Sequence, residues 1–410
     1  MPPQNLPLLV QPIDTVVQRN ERGDDKCYDG SYSTLSSTTT ITNPTESLSN
    51  EYYAVKWFSE WEGYGCVALK DIGKHTIIHE EEPMLKAEQI TNALERHVNG
   101  AHMTPEDDKK YLENECCLKK EDIDKLWQLH DQHQDRYANG KNEKRLWGIL
   151  MSNTFENEEN NYQRRLYVQT SRFNHSCSPN IGYDFNNWTI RLFTTRDVKA
   201  GDTLCIAYSD VIYFFPREKR QKYLLSAMKF KCACSACSPL PHDIDENQRI
   251  LEKSDENRKR LKQIGMELRD RVESDLYDAT FCIHVNDTIK RVSASKEEEK
   301  TKEITETEKI ARREQLMERV RLRKLSKKIP IGEYDLNLIM EYIRILEHEN
   351  IDHDMIPIFE LGYKVASQIG SPSTSEWSSK CLKLCQFSKG IDHPKTRAFQ
   401  DRIVRLPGKK

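Results

Sequence analysis

The sequence predicts an α+β protein: a β-rich domain, opened by a helical insert, runs through a cysteine cluster into a C-terminal α-helical bundle. Three observations predict it. Short β-type runs occur at "EYYAVKWF", "CVAL" and "HTIIHEEEPML" and resume at "IGYDF", "WTIRLFT" and "TLCIAY". Gly63, Gly65, Gly73, an Asn-Asn pair and "KAGD" punctuate them as turn signals. Between the two sets, from about Ala87 to Gln169, the pattern becomes helical. Near the end it does so again. Leu336, Ile339, Ile343 and Leu346 fall on one stripe, and "IPIFELGYKVASQIG" and "SEWSSKCLKLCQF" repeat the theme, as stacked helical hairpins require.

Taken in order, residues 1–50 carry the run "SYSTLSSTTTITNPTESLSN", which buries too little apolar surface to offset ordering entropy and is expected to be a disordered tail. Residues 51–230 are the β-rich domain, with the helical insert at 87–169. In the insert, "TPEDDKKYLENE" has a Thr cap, Pro in the first turn and acids after it. "KEDIDKLWQLHDQHQDRY" puts Ile123, Leu126, Trp127 and His130 on one helical face. A helix "PREKRQKYLLSAM" leads into the cysteine segment 231–240. Residues 241–330 read as charged helix or linker, Lys/Glu-rich from about Ser293 to Lys328, and 331–410 as the bundle.

Composition excludes several classes. With 410 residues, 37% hydrophobic and 31% charged, the chain suits two or three domains, and a net charge of −3 gives no global field toward nucleic acid. Mean hydropathy is −0.77. No apolar run reaches membrane-spanning length and "LPLLV" is too short for a signal-peptide core, so a soluble intracellular protein, cytoplasmic and/or nuclear, is expected. There, twelve cysteines in so long a chain do not read as a disulfide framework, and the sequons at Asn174, Asn187 and Asn286 read as chance.

The strongest chemical signal is "CACSAC". Cys232, Cys234 and Cys237 sit too close on one loop to pair readily as disulfides, but they can converge on one divalent cation as three tetrahedral ligands. Zinc needs a fourth ligand. Cys177 in "SRFNHSCSPN" is the candidate, because a loop of His, Ser and Pro is not a usual core setting for cysteine. The bland alternative is a set of thiols with no ligand. Cys66, Cys205, Cys282, Cys381 and Cys385 are assigned to packing. Gly63 and Gly65 around Tyr64 suit a tight turn or a backbone passing close to a ligand. They lack the strand-to-helix context of a dinucleotide site, and a Walker pattern is absent.

Gly63-Tyr64-Gly65, "SRFNHSCSPN", "VKAGDTLCIAYSD" and "CACSAC", in that order, resemble the motifs of the SET-domain protein-lysine methyltransferases, close to the SET-and-MYND branch. The resemblance covers about Glu51 to Ser238, and the C-terminal helices resemble that branch's helical lid. It implies a β-rich SET fold with a knot-like crossing and a post-SET zinc site. S-adenosylmethionine enters one face of this fold, and a substrate lysine enters the other through a narrow channel. Tyr64 and the backbone of Gly63 to Gly65 would border the methionine moiety, and Asn174 and His175 would bind the cofactor, His175 mainly by its backbone. Tyr208 would be the catalytic tyrosine, completing the cofactor set with Phe230. Cys177, Cys232, Cys234 and Cys237 would hold one structural zinc ion.

Residue chemistry agrees with that implication. Methyl transfer from a sulfonium to an amine needs in-line approach, which a tight channel supplies. It also needs a neutral amine, and an apolar channel beside a cation disfavours the ammonium form of a lysine whose free pKa is roughly 10.4. Two departures stand out. Residues 86 to 165 offer only Cys116, Cys117 and histidines 97, 102, 130 and 133, so no MYND zinc finger is expected; a helical insert stands in its place. Met228 replaces the family's second aromatic, with Phe230 two residues on; Asp202 in place of Glu is minor. The expected partner is a protein with an exposed lysine, with no membrane or direct nucleic-acid partner and a monomeric state. The competing class, which Met228 favours, is an inactive SET-like zinc-binding scaffold that recruits partner proteins. A nucleic-acid-binding zinc protein would need a broader basic face than "KFKCACSACSPLPHD" gives.

Overall fold

The computed structural model describes residues 49–59, 63–99, 103–133, 143–157, 163–238, 244–271, 330–351 and 355–405. The expected N-terminal tail through residue 48, the Lys/Glu-rich stretch and Cys282 lie outside them.

The protein is α+β. Strands β1 (Tyr53–Phe58), β2 (Gly63–Ala68) and β3 (Ile77–Glu81) come first, then helices α1 (Ala87–Asn99), α2 (Pro105–Asn114), α3 (Lys120–Trp127) and α4 (Leu146–Asn153). A hairpin β4 (Thr154–Asn157) and β5 (Gln163–Leu166) precedes the two-residue strand β6 (Asn174–His175), then β7 (Ile181–Asn186), β8 (Thr189–Thr194) and β9 (Thr203–Ile206). Helix α5 (Arg217–Met228) leads to the cysteine segment, α6 (Ile244–Arg271), and then α7 (Glu333–His348), α8 (Met355–Gln368), α9 (Thr374–Ser388) and α10 (Pro394–Arg405).

Two small sheets carry the β domain, in the orders β1-β2-β9-β6 and β3-β8-β7. All their pairings are antiparallel except β6 with β9, where Asn174 opposes Cys205 and His175 opposes Ile206. This parallel pair matters most for the site. It sets the Asn-His dipeptide directly beside β9, which ends two residues before Tyr208, while the β7–β8 hairpin forms the crossover between them. Tyr53, Cys66, Phe173, Ile190, Leu192 and Leu204 fill the core between the sheets. Each fully buried side chain of this size contributes about 1.5–3 kcal/mol.

The insert has its own core around Leu112, Leu126, Ile149 and Leu150. Helix α2 starts as its sequence implies. The Thr104 hydroxyl accepts from the Asp107 N–H, and Asp107 Oδ2 accepts from the Thr104 N–H, closing a capping box. Two details differ from the sequence reading. Helix α3 stops at Trp127, short of His130, because Lys144 Nζ donates to the Trp127 and Leu129 carbonyls and Arg172 reaches those of Lys125 and Gln128. These cations satisfy the helix's last carbonyls. The end of the insert is also not helical. Residues 154–157 and 163–166 pair as strands β4 and β5 because Phe155 packs edge-on against Tyr167 and Tyr183, so tertiary contact overrides the local pattern.

In the C-terminal region, α6 and α7 run antiparallel, as their ion pairs show: Arg271 meets Asp335 at 2.6 Å and Arg260 meets Glu341 at 2.7 Å. Leu336, Ile339, Ile343 and Leu346, the expected stripe, are all buried. Cys381 and Cys385 are fully buried in the packing of α9. The core of this region also takes in Cys177, Cys232 and Cys237, so the cysteines sit where the β domain meets the helices.

Candidate active site and metal centre

The four cysteines converge. The Sγ atoms of Cys177, Cys232, Cys234 and Cys237 all lie within 4.8 Å of one another, the one group of three or more metal-ligating side chains among the described residues. Cys177 and Cys232 sulfurs are 3.9 Å apart, and Cys237 and Cys177 sulfurs 3.6 Å. A tetrahedral ion with bonds of about 2.3 Å places its sulfurs about 3.8 Å apart. The geometry therefore suits zinc, as does an all-thiolate donor set.

Local structure builds this cage. Cys237 and Ser238 N–H groups both donate to the Cys234 carbonyl at 2.8 Å, closing the turn that gathers the downstream thiols. Gln221 on α5 holds Cys232 by both amide atoms, accepting from its N–H at 3.0 Å and donating to its carbonyl at 2.6 Å. Every sulfur also has a nitrogen beside it. The Cys177 N–H donates to Cys234 Sγ (3.3 Å), the Cys234 N–H to Cys232 Sγ (3.5 Å) and Arg220 Nη2 to Cys237 Sγ (3.8 Å), while His175 Nε2 lies 3.3 Å from Cys177 Sγ. Such donors stabilise thiolates and orient metal ligands. Hydrogen bonding to Cys232, then to Cys234 and Cys237, pushes the Cys177 thiol well above its ordinary range; bonding to Cys177, then to Cys232 and Cys237, drives Cys234 well below its own.

An aromatic wall stands against this cage. His175 Nδ1 accepts the Tyr208 N–H at 3.1 Å, so the ring proton belongs on Nε2, which faces Cys177. The His175 ring lies 5.3 Å from that of Tyr208 and 5.6 Å from that of Phe230, and Tyr208 and Phe230 meet edge-on at 6.2 Å. Phe230 gets there because α5 ends on Lys229 in the left-handed conformation (φ 60°), which turns the chain back. Met228, like Phe230, is partly buried against the helical core. Burial, above all, holds the His175 imidazole neutral, its pKa lowered to about 4. Tyr208 is 40% exposed, yet its phenol sits in a neighbourhood dense enough that burial raises its pKa above the ordinary value. The tyrosine is both reachable and protonated.

Gly63-Tyr64-Gly65 is not a turn. It opens strand β2, with Gly63 opposite Phe58 and Tyr64 opposite Trp57 on β1. The glycine is needed at position 65 for close approach: a Cβ there would lie 2.7 Å from Asn174 Nδ2. That amide donates to the Tyr64 carbonyl at 3.1 Å, which leaves Asn174 Oδ1 as an open acceptor beside the glycine backbone, a setting that fits the amino-acid end of a cofactor. Gly65→Ala is expected to destabilise the fold by about 1–3 kcal/mol through overpacking, measured by thermal melting, and to displace Asn174.

Sequence reasoning missed the supports of this site. Glu81 accepts the N–H groups of Gln169 (3.0 Å) and Thr170 (2.8 Å) and the Thr170 hydroxyl (2.8 Å), fixing the turn before Asn174. Strand alternation is the only signal that singles it out among three consecutive glutamates. Arg172 is buried with its guanidinium 5.2 Å from the Tyr64 ring, and Arg220 and Gln221 face inward from α5. Nothing local in a helix as polar as "REKRQKYLLSAM" marks them.

The SET domain profile matches residues 63–209. The chain carries a SET domain. That span holds Tyr64, Gly65, Asn174, His175, Cys177 and Tyr208, whereas Phe230 and the other three cysteines follow the SET domain. Among curated relatives, the chain is similar to "Histone-lysine N-methyltransferase set5" of Schizosaccharomyces pombe, 27% identical over 203 residues, covering 49% of this chain and 53% of that protein. It is also similar to mouse "Histone-lysine N-methyltransferase SMYD3", 31% identical over 102 residues (24% and 23% of the two chains). A third is chicken "Protein-lysine N-trimethyltransferase SMYD5", 36% identical over 83 residues (20% of each chain). The chain thus spans about half the length of the first and less than a quarter of the other two. All three of these relatives are named as lysine methyltransferases. No described helix is long and apolar enough to cross a membrane.

Proposed function

We propose that this protein is an S-adenosylmethionine-dependent protein-lysine N-methyltransferase, acting in the cytoplasm, the nucleus or both on a protein with an exposed lysine. The observation that carries the reading is the meeting of Asn174, His175, Tyr208 and Phe230 beside a four-cysteine cage. When bound, the cofactor supplies an electrophilic methyl group on a sulfonium. Asn174 Oδ1 and the glycine backbone at position 65 hold its amino-acid end. The Tyr208 hydroxyl, protonated across the physiological range, orients the lysine amine. The faces of Tyr208 and Phe230 attract cationic groups, and His175 adds no opposing charge because it stays neutral. No strong base is needed, because the apolar setting disfavours the lysine's ammonium form.

Cys177, Cys232, Cys234 and Cys237 hold one zinc ion, whose role is structural: it ties the loop after His175 to the segment after Phe230. The meeting of Phe230 with Tyr208 supports this reading over the inactive scaffold that Met228 favours. His175 carries more than the backbone role expected for it, since its ring bridges the Tyr208 backbone and the Cys177 sulfur. His175→Ala is expected to weaken methyl transfer about 10- to 100-fold and zinc affinity by a comparable factor. His175→Gln, which can still offer an acceptor and a donor, should recover part of both; labelled-methyl transfer and chelator competition measure them. The reading itself is tested by incubating the protein with labelled cofactor and a cell lysate. Label on lysine supports it; cofactor binding with no labelled protein favours a scaffold.

A further inference from the structure

Two charged side chains in the core beyond the SET domain have no part in the chemistry above. Arg258 on α6 is fully buried. Its Nη2 donates to the Cys177 carbonyl at 2.9 Å and its Nη1 to the Ile212 carbonyl at 3.4 Å. Cys177 lies two residues after His175, and Ile212 lies in the turn that follows Tyr208. One planar guanidinium therefore spans the two loops that carry the site's facing residues, a reach that the fixed fork of arginine provides and a lysine ammonium does not.

Glu349, just past the end of α7, holds that guanidinium in place. Its Oε2 accepts from Arg258 Nε at 3.2 Å and from the Ser254 hydroxyl at 2.6 Å, and its Oε1 accepts from Asn257 Nδ2 at 2.8 Å. Its own carbonyl accepts the Ser178 hydroxyl at 3.2 Å, a second tie to the loop after Cys177. A buried ion pair is a poor source of net stability, since desolvation offsets most of the attraction. Its geometry is what it provides.

We propose that Arg258 and Glu349 are positioning residues for the methyl-transfer site: the helices beyond the SET domain latch the Asn174–Ser178 loop and the loop after Tyr208 into one arrangement. This rests on the functional reading above. Charge alone does not explain the pair, because Glu349 cancels Arg258 locally, so the device works through hydrogen-bond direction.

The test separates position from stability. Arg258→Met alone strands a buried carboxylate and is expected to destabilise the fold. In the double variant Arg258→Met/Glu349→Leu no charge is left unpaired, and the fold is expected to stay near wild-type melting temperature. Arg258→Lys keeps the charge pair but not the fork. Both are expected to bind S-adenosylmethionine about 10- to 100-fold more weakly by calorimetry and to lose zinc faster to a chelator. Wild-type cofactor affinity and zinc release in the lysine variant or the folded double variant overturn the latch. If the wild type itself binds no cofactor, the functional reading fails separately. Zinc release then judges the latch alone: faster loss in the variants supports it, and an unchanged rate overturns it.

Discussion

Tyr208→Phe is expected to lower methyl transfer by about 10²-fold or more while cofactor affinity and melting temperature stay at their wild-type values. The substitution keeps the ring that meets His175 and Phe230 and keeps the backbone N–H held by His175 Nδ1. It removes only the hydroxyl that orients the lysine amine. Because the chemistry needs no strong base, the loss should be one of alignment. It should therefore appear in the single-turnover rate and be little changed by raising the substrate concentration. A small effect confined to KM would instead place Tyr208 in general substrate binding.

Cys234→Ala is expected to abolish zinc binding and unfold the junction between the SET domain and the helical region. A structural four-cysteine zinc site supplies an apparent binding free energy of about 10–16 kcal/mol, comparable with the total stability of a domain, about 5–15 kcal/mol. Cys177 and Cys237, its neighbours in the cage, are also part of the core that includes α6 to α10. Losing the metal therefore leaves thiols crowded together inside a packed interface. Cys381→Ala is the control: that thiol is fully buried but stands apart from the cage, and its loss should cost only about 0.5–3 kcal/mol. Metal analysis with thermal melting distinguishes the two outcomes, and a chelator should reproduce the first in the wild type.

How far the sequence discloses this molecule depends on the range of each interaction. The capped helix at Pro105 and the stripe of Leu336, Ile339, Ile343 and Leu346 were legible because caps and periodicity are local. The clustering of the four cysteines was legible because "CACSAC" is itself local; only Cys177 had to come from afar, and its odd polar setting pointed to it. The β4–β5 hairpin was not legible, since its strands depend on Phe155 meeting Tyr167 and Tyr183. Nor was the end of α3, which two cations distant in sequence decide. The glycines at 63 and 65 read as a tight turn or as a backbone passing close to a ligand, because glycine suits both. The need at Gly65 is instead for space beside Asn174, which lies 109 residues on (174 − 65) and has no signature in the local pattern. Arg258 and Glu349 are the extreme case, charged residues on charged helices whose burial only the assembled fold creates.

The most direct test of the central claim is mass spectrometry of protein acceptors after incubation with zinc-replete protein and isotopically labelled S-adenosylmethionine, with Tyr208→Phe in parallel. The account expects labelled methyl groups on lysine side chains with the wild-type chain and almost none with the variant. Cofactor binding at full strength with no labelled lysine, or equal labelling by both proteins, would contradict it.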